Sequence, residues 1–362
     1  MAKKLAFDKV LFTTVVLLAI FGLVMVYSAS AAVARDRGVT VNPFLVKQAT
    51  AAVLGFVAMF AAMHFDYRRL RRPWVIYGLL AGVLALLVAV LFQPELNGTR
   101  RWFHFAGVSL QPSELAKLAF IPFLAWQIER KPDRVNHPDL LLPVGFFTCL
   151  TAGLILLEPD LGTAVLLATV TFVLVFLAGL SWRYVAAGVL AAVPILYLAV
   201  VAVPYRRQRI FAFLDPEADP YGSGFQALQS LIAVGSGGVF GLGPGASHQK
   251  LYFLPHPHSD FVYAIVAEEL GMVGALAVLA LFGVLAWRGA RAAWRAPDAF
   301  GRYLGFGFTG ILVLQALINV SVAVALLPTK GIPLPFLSYG GSSLVVSLCA
   351  LGVLLNISQH SS

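Results

Sequence analysis

Asp260 closes the polar run PHPHSDF (residues 255–261) and opens the long apolar stretch FVYAIVAEELG. A carboxylate at such a mouth is suited to take a proton from a substrate hydroxyl. An Asp in this position is most often an N-cap, so capping is the competing reading. His256, His258 and Ser259 adjoin it, and the glycine-rich GSGGVFGLGPG (235–245) precedes it closely. Backbone can approach a ligand at such glycines, but no Lys-Ser/Thr pair follows to make a nucleotide loop. Two histidines without a third ligand at metal spacing define no metal site.

Cations gather in the same polar segments. Arg100 and Arg101 precede Trp102; Arg206 and Arg207 follow Pro204; Lys330 lies in LLPTKGIPLPFLSYGGSS (326–343) with Ser338, Tyr339, Ser342 and Ser343. Such groups are suited to an anionic headgroup or pyrophosphate, although interfacial arginine beside tryptophan is also a common anchor. Three prolines and three glycines rule out one uninterrupted helix there, so this segment lines protein or water rather than lipid. In QPSELAKL (111–118), Glu114 and Lys117 share a helical face and can pair, as an orienting ion pair or facing substrate. LEPDLGTA (157–164) holds Glu158 and Asp160 in a sharp turn, with Thr163 as candidate cap of the helix that follows.

The elements that must position these groups are apolar helices. Of 362 residues, 59% are hydrophobic and 12% charged, with mean hydropathy +0.84. Ten candidate spans lie near 9–31, 44–64, 74–93, 112–128, 139–157, 163–181, 184–203, 261–288, 303–327 and 337–357. The reading is an all-α polytopic membrane protein, one domain over 1–362, with a large extracytoplasmic loop at 204–260 between spans seven and eight. The first span is too long for a signal-peptide core and is read as retained. Fifteen basic residues fall on the side of the termini and nine in the opposite loops, which predicts cytoplasmic termini. The net charge of +9 is then mostly a topology signal, not a nucleic-acid surface. Cys149 and Cys349 both sit in apolar spans and form no disulfide framework or metal spacing.

The ordered set MVYSAS, NGTRRW, QPSELAKL, EPDLGTA, FLDPEADPYGSG, QSLIAVGSGG, QKLYFLP, SDFVYAIVAEELG and SYGGSS resembles the SEDS family of bacterial cell-wall proteins (shape, elongation, division, sporulation) over nearly the whole chain. DYRRLRR and LPTKG lean to the division branch; GIPLP is also at home in the rod-shape branch. The resemblance implies a peptidoglycan glycosyltransferase in the cytoplasmic membrane that polymerises lipid II. Asp260 matches the family's essential aspartate, with Ser259 for the usual Thr and His256 where Glu is common. It also implies a class B penicillin-binding transpeptidase as partner, with other divisome or elongasome membrane proteins. In that chemistry Asp260 is the base, and Arg100, Arg101, Lys117, Arg206, Arg207 and Lys330 are candidates to bind undecaprenyl pyrophosphate as it leaves, with Ser338 as a further substrate donor. Glu114, Glu158 and Asp160 support the site. No cofactor is evident; a divalent cation is compatible with the leaving group. A lipid II flippase, built on broken helices and buried charge, is the alternative, and a scaffold without chemistry a third reading.

Overall fold

The computed structural model describes residues 7–36, 42–95, 99–105, 108–251 and 253–360. Asn97-Gly98, a turn signal at the start of NGTRRW, lies outside them. Helix starts follow the chain's own punctuation. Proline occupies the first turn of α2 (Pro43–His64), α3 (Pro73–Val90), α4 (Pro112–Arg130), α5 (Pro138–Leu157) and α8 (Pro204–Leu214), where its missing N–H has no intrahelical partner to lose. Asn42 caps α2 by accepting from the Phe44 and Leu45 amides at 3.0 and 3.3 Å. The remaining helices are α1 (Lys9–Asp36), α6 (Leu161–Leu177), α7 (Trp182–Val201), α9 (Phe225–Ser236), α10 (Val262–Trp294), α11 (Ala299–Ala323) and α12 (Gly341–His360). A short antiparallel hairpin, β1 (Phe103–Phe105) and β2 (Val108–Leu110), pairs Phe103 with Leu110 between α3 and α4.

Among the described residues seven helices, α1, α2, α3, α5, α10, α11 and α12, are long and apolar enough to cross a membrane. α4 and α12 form the interior and are buried on nearly every face, whereas outer helices expose large apolar side chains such as Leu17, Val53 and Leu190. In lipid those exposed faces are the solvated ones. α12 lies along α2, and α11 packs between α10 and α4. At one end of the bundle the two chain ends meet: the Asp8 amide donates to Ser358 Oγ at 3.1 Å, and Arg288 pairs with Asp8 at 2.6 Å. Tyr67 and Arg68 converge there on Asp298, which also caps α11 through the Gly301 amide at 2.7 Å.

The polar stretch 204–260 carries more regular structure than its composition predicts. PYRRQRIFAFL becomes α8, and the amphipathic FQALQSLIAVGS becomes α9, tied to α11 where Ser230 donates to the Ala323 carbonyl at 2.6 Å. The glycine-rich chain after α9 meets a break in α10 at Gly271, whose φ of +67° lies in the left-handed region. The amides of Leu242 and Gly243 donate to the carbonyls of Glu268 and Glu269, and those of Met272 and Val273 to Gly238 and Val239. A Cβ at Gly271 would collide with the Gly241 amide and the Val239 carbonyl.

Candidate active site

α10 starts at Val262 with Phe261 in the cap position, and no side chain bonds its first turn. Asp260 is therefore not used as a cap, and the capping reading gives way. Asp260 is instead held by its backbone: its amide donates to the His256 carbonyl at 3.3 Å, and its carbonyl accepts from Asn319 Nδ2 of α11 at 2.9 Å. The same Asn319 amide donates to the Ile332 carbonyl at 2.8 Å, which draws the 326–343 segment against Asp260. A Cβ on Gly331 would sit 3.2 Å from Asp260 Oδ2, so glycine lets backbone lie beside the carboxylate. Burial raises the Asp260 carboxyl above its usual range, opposed by His256, by a hydrogen bond from Ser259, and by Arg209 and Arg101.

Two of the cations stitch the surrounding elements together at the C-terminal end of α5. Arg101 Nε donates to the Glu158 carbonyl at 2.8 Å and its Nη2 to the Pro159 carbonyl, while Arg206 Nη2 donates to the Leu156 carbonyl at 3.4 Å. Unpaired carbonyls and the negative pole of a helix make this a natural seat for guanidinium groups. Lys330, half-buried, is pushed below the usual ammonium range by burial and pulled back by Asp160. Arg209 Nη1 donates to the Thr329 carbonyl at 2.8 Å, and its guanidinium lies 4.5 Å from the centre of the Tyr205 ring.

The acids of the α5–α6 turn do different work. Asp160, not Thr163, is the cap of α6: it accepts from the Thr163 amide at 3.0 Å and hydroxyl at 2.8 Å. An ionised carboxylate is a stronger acceptor for a first-turn amide than a hydroxyl, which decides the exchange. Glu158 is fully buried, and neither carboxylate oxygen has a hydrogen-bond partner. Burial, with the nearby Asp160 charge, pushes its carboxyl up to about 8 despite Arg101. Between the unfolded value near 4.5 and about 8 the folded protein holds a proton that the unfolded chain has lost, so stability falls as pH rises through that window. Glu158→Gln is expected to abolish this contribution. A thermal-unfolding series from pH 5 to 8 checks it, and an unchanged slope in the variant would contradict the assignment.

Glu114 and Lys117 pair as their spacing predicts, at 2.7 Å and almost fully buried. Lys117 Nζ also donates to Gln315 Oε1 at 2.7 Å, and Gln315 Nε2 donates to the Pro333 carbonyl at 2.8 Å. A polar ladder thus runs from Glu114 through Lys117 and Gln315 to the segment that flanks Asp260. Ser338 is buried, and its hydroxyl accepts from the Leu334 amide at 2.7 Å, shaping that segment's turn. The Tyr339 amide donates to the His258 carbonyl at 2.8 Å. Arg100 is exposed and engages Glu95 and the Leu91 carbonyl, both at 3.0 Å, beyond the end of α3; Arg207 is exposed on α8.

Gln315 and Asn319 belong to the site and were not singled out in the sequence, whereas Arg209 stands out there beside Arg206 and Arg207 without being a candidate substrate ligand. Gln315 and Asn319 carried a usable signal, two amides four residues apart on one face of an otherwise apolar helix. Lys250, Glu269 and Ser28 carried none. Lys250 Nζ donates to Glu269 Oε1 at 2.7 Å and Ser28 Oγ at 2.9 Å, both buried, and to the Gly245 carbonyl at 2.7 Å. Glu268 beside it accepts from the Ser247 hydroxyl and the His248 and Gln249 amides. Among the described residues no three His, Cys, Asp or Glu side chains converge as a metal site.

A multi-pass helical membrane protein that gathers two guanidinium groups and an ammonium about one buried carboxylate is the class that fold and site define. The chain belongs to the FtsW/RodA/SpoVE family of cell cycle proteins, whose model matches residues 8–362. It is 43% identical over 359 residues to a protein of Geobacter metallireducens named "Probable peptidoglycan glycosyltransferase FtsW", covering 98% of this chain and 95% of the relative. Stage V sporulation protein E of Bacillus subtilis is 42% identical over 365 residues, 99% of each chain. Among solved structures, a chain from a study of "polymerization and crosslinking by a peptidoglycan synthase complex" superposes with TM-score 0.81 at 36% identity over 98% of both chains. The rod shape determining protein RodA of Thermus thermophilus gives 0.71 at 32% identity, over 98% of this chain and 97% of that one.

Proposed function

We propose that this protein is a peptidoglycan glycosyltransferase that polymerises lipid II, with Asp260 as general base. The observation that carries the reading is the uncapped Asp260 carboxylate facing the charges of Arg101 and Arg209, with Lys330 one residue from the glycine that lies against it. Asp260 accepts the proton of the acceptor sugar hydroxyl, whose oxygen forms the new bond to the donor's anomeric carbon. The bond from that carbon to undecaprenyl pyrophosphate breaks, its electron pair leaves with the pyrophosphate, and the anomeric centre inverts. Arg101, Arg206, Arg209 and Lys330 offset the charge that develops on the leaving group. The exposed Arg100 and Arg207 steer the anionic headgroup inward, and Lys117, committed to Glu114 and Gln315, sets the floor of the crevice.

The topology that serves this chemistry has ten crossings, with α4, α6 and α7 added to the seven apolar helices. The basic bias puts both termini in the cytoplasm and residues 204–260, with Asp260, on the outer face. A class B penicillin-binding transpeptidase is the partner that would cross-link the product. The synthase-complex neighbour supports the partner.

Purified protein given labelled lipid II, with no other polymerase, is expected to produce glycan strands longer than the disaccharide. A flippase would move lipid II across the bilayer of a proteoliposome and leave it monomeric, and that outcome would replace the transferase reading.

A further inference from the structure

At the opposite end of the bundle from Asp260, a cleft of about 460 Å³ opens between the start of α3 and the last turn of α4. Arg71, Pro73, Tyr77, Trp126, Glu129 and Arg130 line it. One wall is aromatic: the ring of Tyr77 at the lip meets that of buried Trp126 edge to face with centroids 5.5 Å apart. The Arg130 guanidinium lies 4.5 Å from the centre of the Trp126 ring. Arg71 pairs with Glu129 at 3.0 Å, so that carboxylate is committed, whereas no ion pair joins Arg130 to a carboxylate among the described residues. Arg72, the N-cap of α3, makes no side-chain bond to the first turn, which leaves the positive pole of that helix at the rim. Trp74 beside it is 71% exposed and Tyr77 43%.

We propose that this cleft binds the phosphate of an anionic phospholipid from the leaflet at the basic end of the bundle. A planar guanidinium already stacked on an indole presents its N–H fork in a fixed direction, which suits two oxygens of a phosphodiester. The volume fits a glycerophosphate headgroup. Exposed tryptophan and tyrosine at the lip occupy the depth where such rings sit among headgroups, so the ligand arrives with its acyl chains still in the bilayer. A soluble phosphate compound shares the recognised group but has no use for that apolar lip. The site is separate from the polymerising crevice and does not depend on the reading of Asp260.

The test is native mass spectrometry of the full-length protein released from micelles doped with phosphatidylglycerol or phosphatidylcholine. Wild-type protein is expected to retain phosphatidylglycerol preferentially. Arg130→Ala is expected to lower that retention about five-fold, the usual worth of one basic residue near an anionic lipid surface. Arg302→Ala, an exposed arginine at the start of α11, makes the same change in charge away from the cleft and should retain the lipid. Arg130→Gln keeps a polar side chain without the charge and should match the alanine variant, which covers poor folding of either one. Equal retention of the two lipids by wild type, or equal losses in the Arg130 and Arg302 variants, would overturn the site. Displacement of the lipid by excess soluble glycerol phosphate would assign the cleft to a soluble ligand and overturn the lipid.

Discussion

Asp260→Asn is expected to slow glycan polymerisation by about 10²- to 10⁴-fold while the protein folds and binds lipid II normally. The amide keeps the shape of the carboxyl and cannot accept the hydroxyl proton. Because no first-turn amide of α10 bonds to Asp260, and its backbone contacts to His256 and Asn319 survive the change, stability should hold. The same position predicts the pH profile. A base works deprotonated, and burial raises this carboxyl above its ordinary range, so kcat/KM should fall on the acid side at a pH above the usual aspartate value of about 3.9. Initial rates on labelled lipid II across pH measure both effects. A folded Asp260→Asn protein polymerising at the wild-type rate would remove Asp260 from the chemistry.

The second large effect is on stability. Lys117→Ala leaves the Glu114 carboxylate buried without its cation, and Glu114→Ala leaves Lys117 with only the Gln315 oxygen. Stranding a buried charge typically costs about 3 to 5 kcal/mol. The double variant should lose much less than the sum of the two singles, since it buries no uncompensated charge. Thermal unfolding of the four proteins in one detergent measures the coupling. A double variant that loses the full sum would show that the two residues act independently.

The apolar spans, the Glu114–Lys117 pair and the break-rich 326–343 segment were legible because each depends on local pattern: hydropathy over one helix length, i to i+3 spacing, prolines and glycines. α8 was less so, because three arginines mask a helix that Pro204 at its first position announces. The β1–β2 hairpin went unread; strands of three residues leave too little alternation to see. In the crevice Asp260, Arg101, Arg206 and Lys330 were named from the sequence, but their arrangement was not. Asn319 lies 59 residues from the Asp260 carbonyl it bonds, and Ser28 lies 222 from Lys250. No periodicity connects such positions. Whether Asp160 or Thr163 caps α6 was equally closed to spacing alone: either residue type can cap, and only the hydrogen bonds show that the helix starts after Asp160 and takes Thr163 into its first turn.

The break in α10 at Gly271 has a consequence for how the protein is made. Four backbone groups flanking the break, the carbonyls of Glu268 and Glu269 and the amides of Met272 and Val273, find partners in the 238–243 strand of chain. That strand leaves the ribosome first and must wait, with its own polar groups open, until the helix behind it has been synthesised past the break. Neither piece has its backbone satisfied without the other, and unpaired buried backbone is costly. The glycine-rich segment and the head of α10 therefore stand or fall as one unit: a change that opens either, such as a side chain at Gly271, also loosens the helix start that Asp260 precedes.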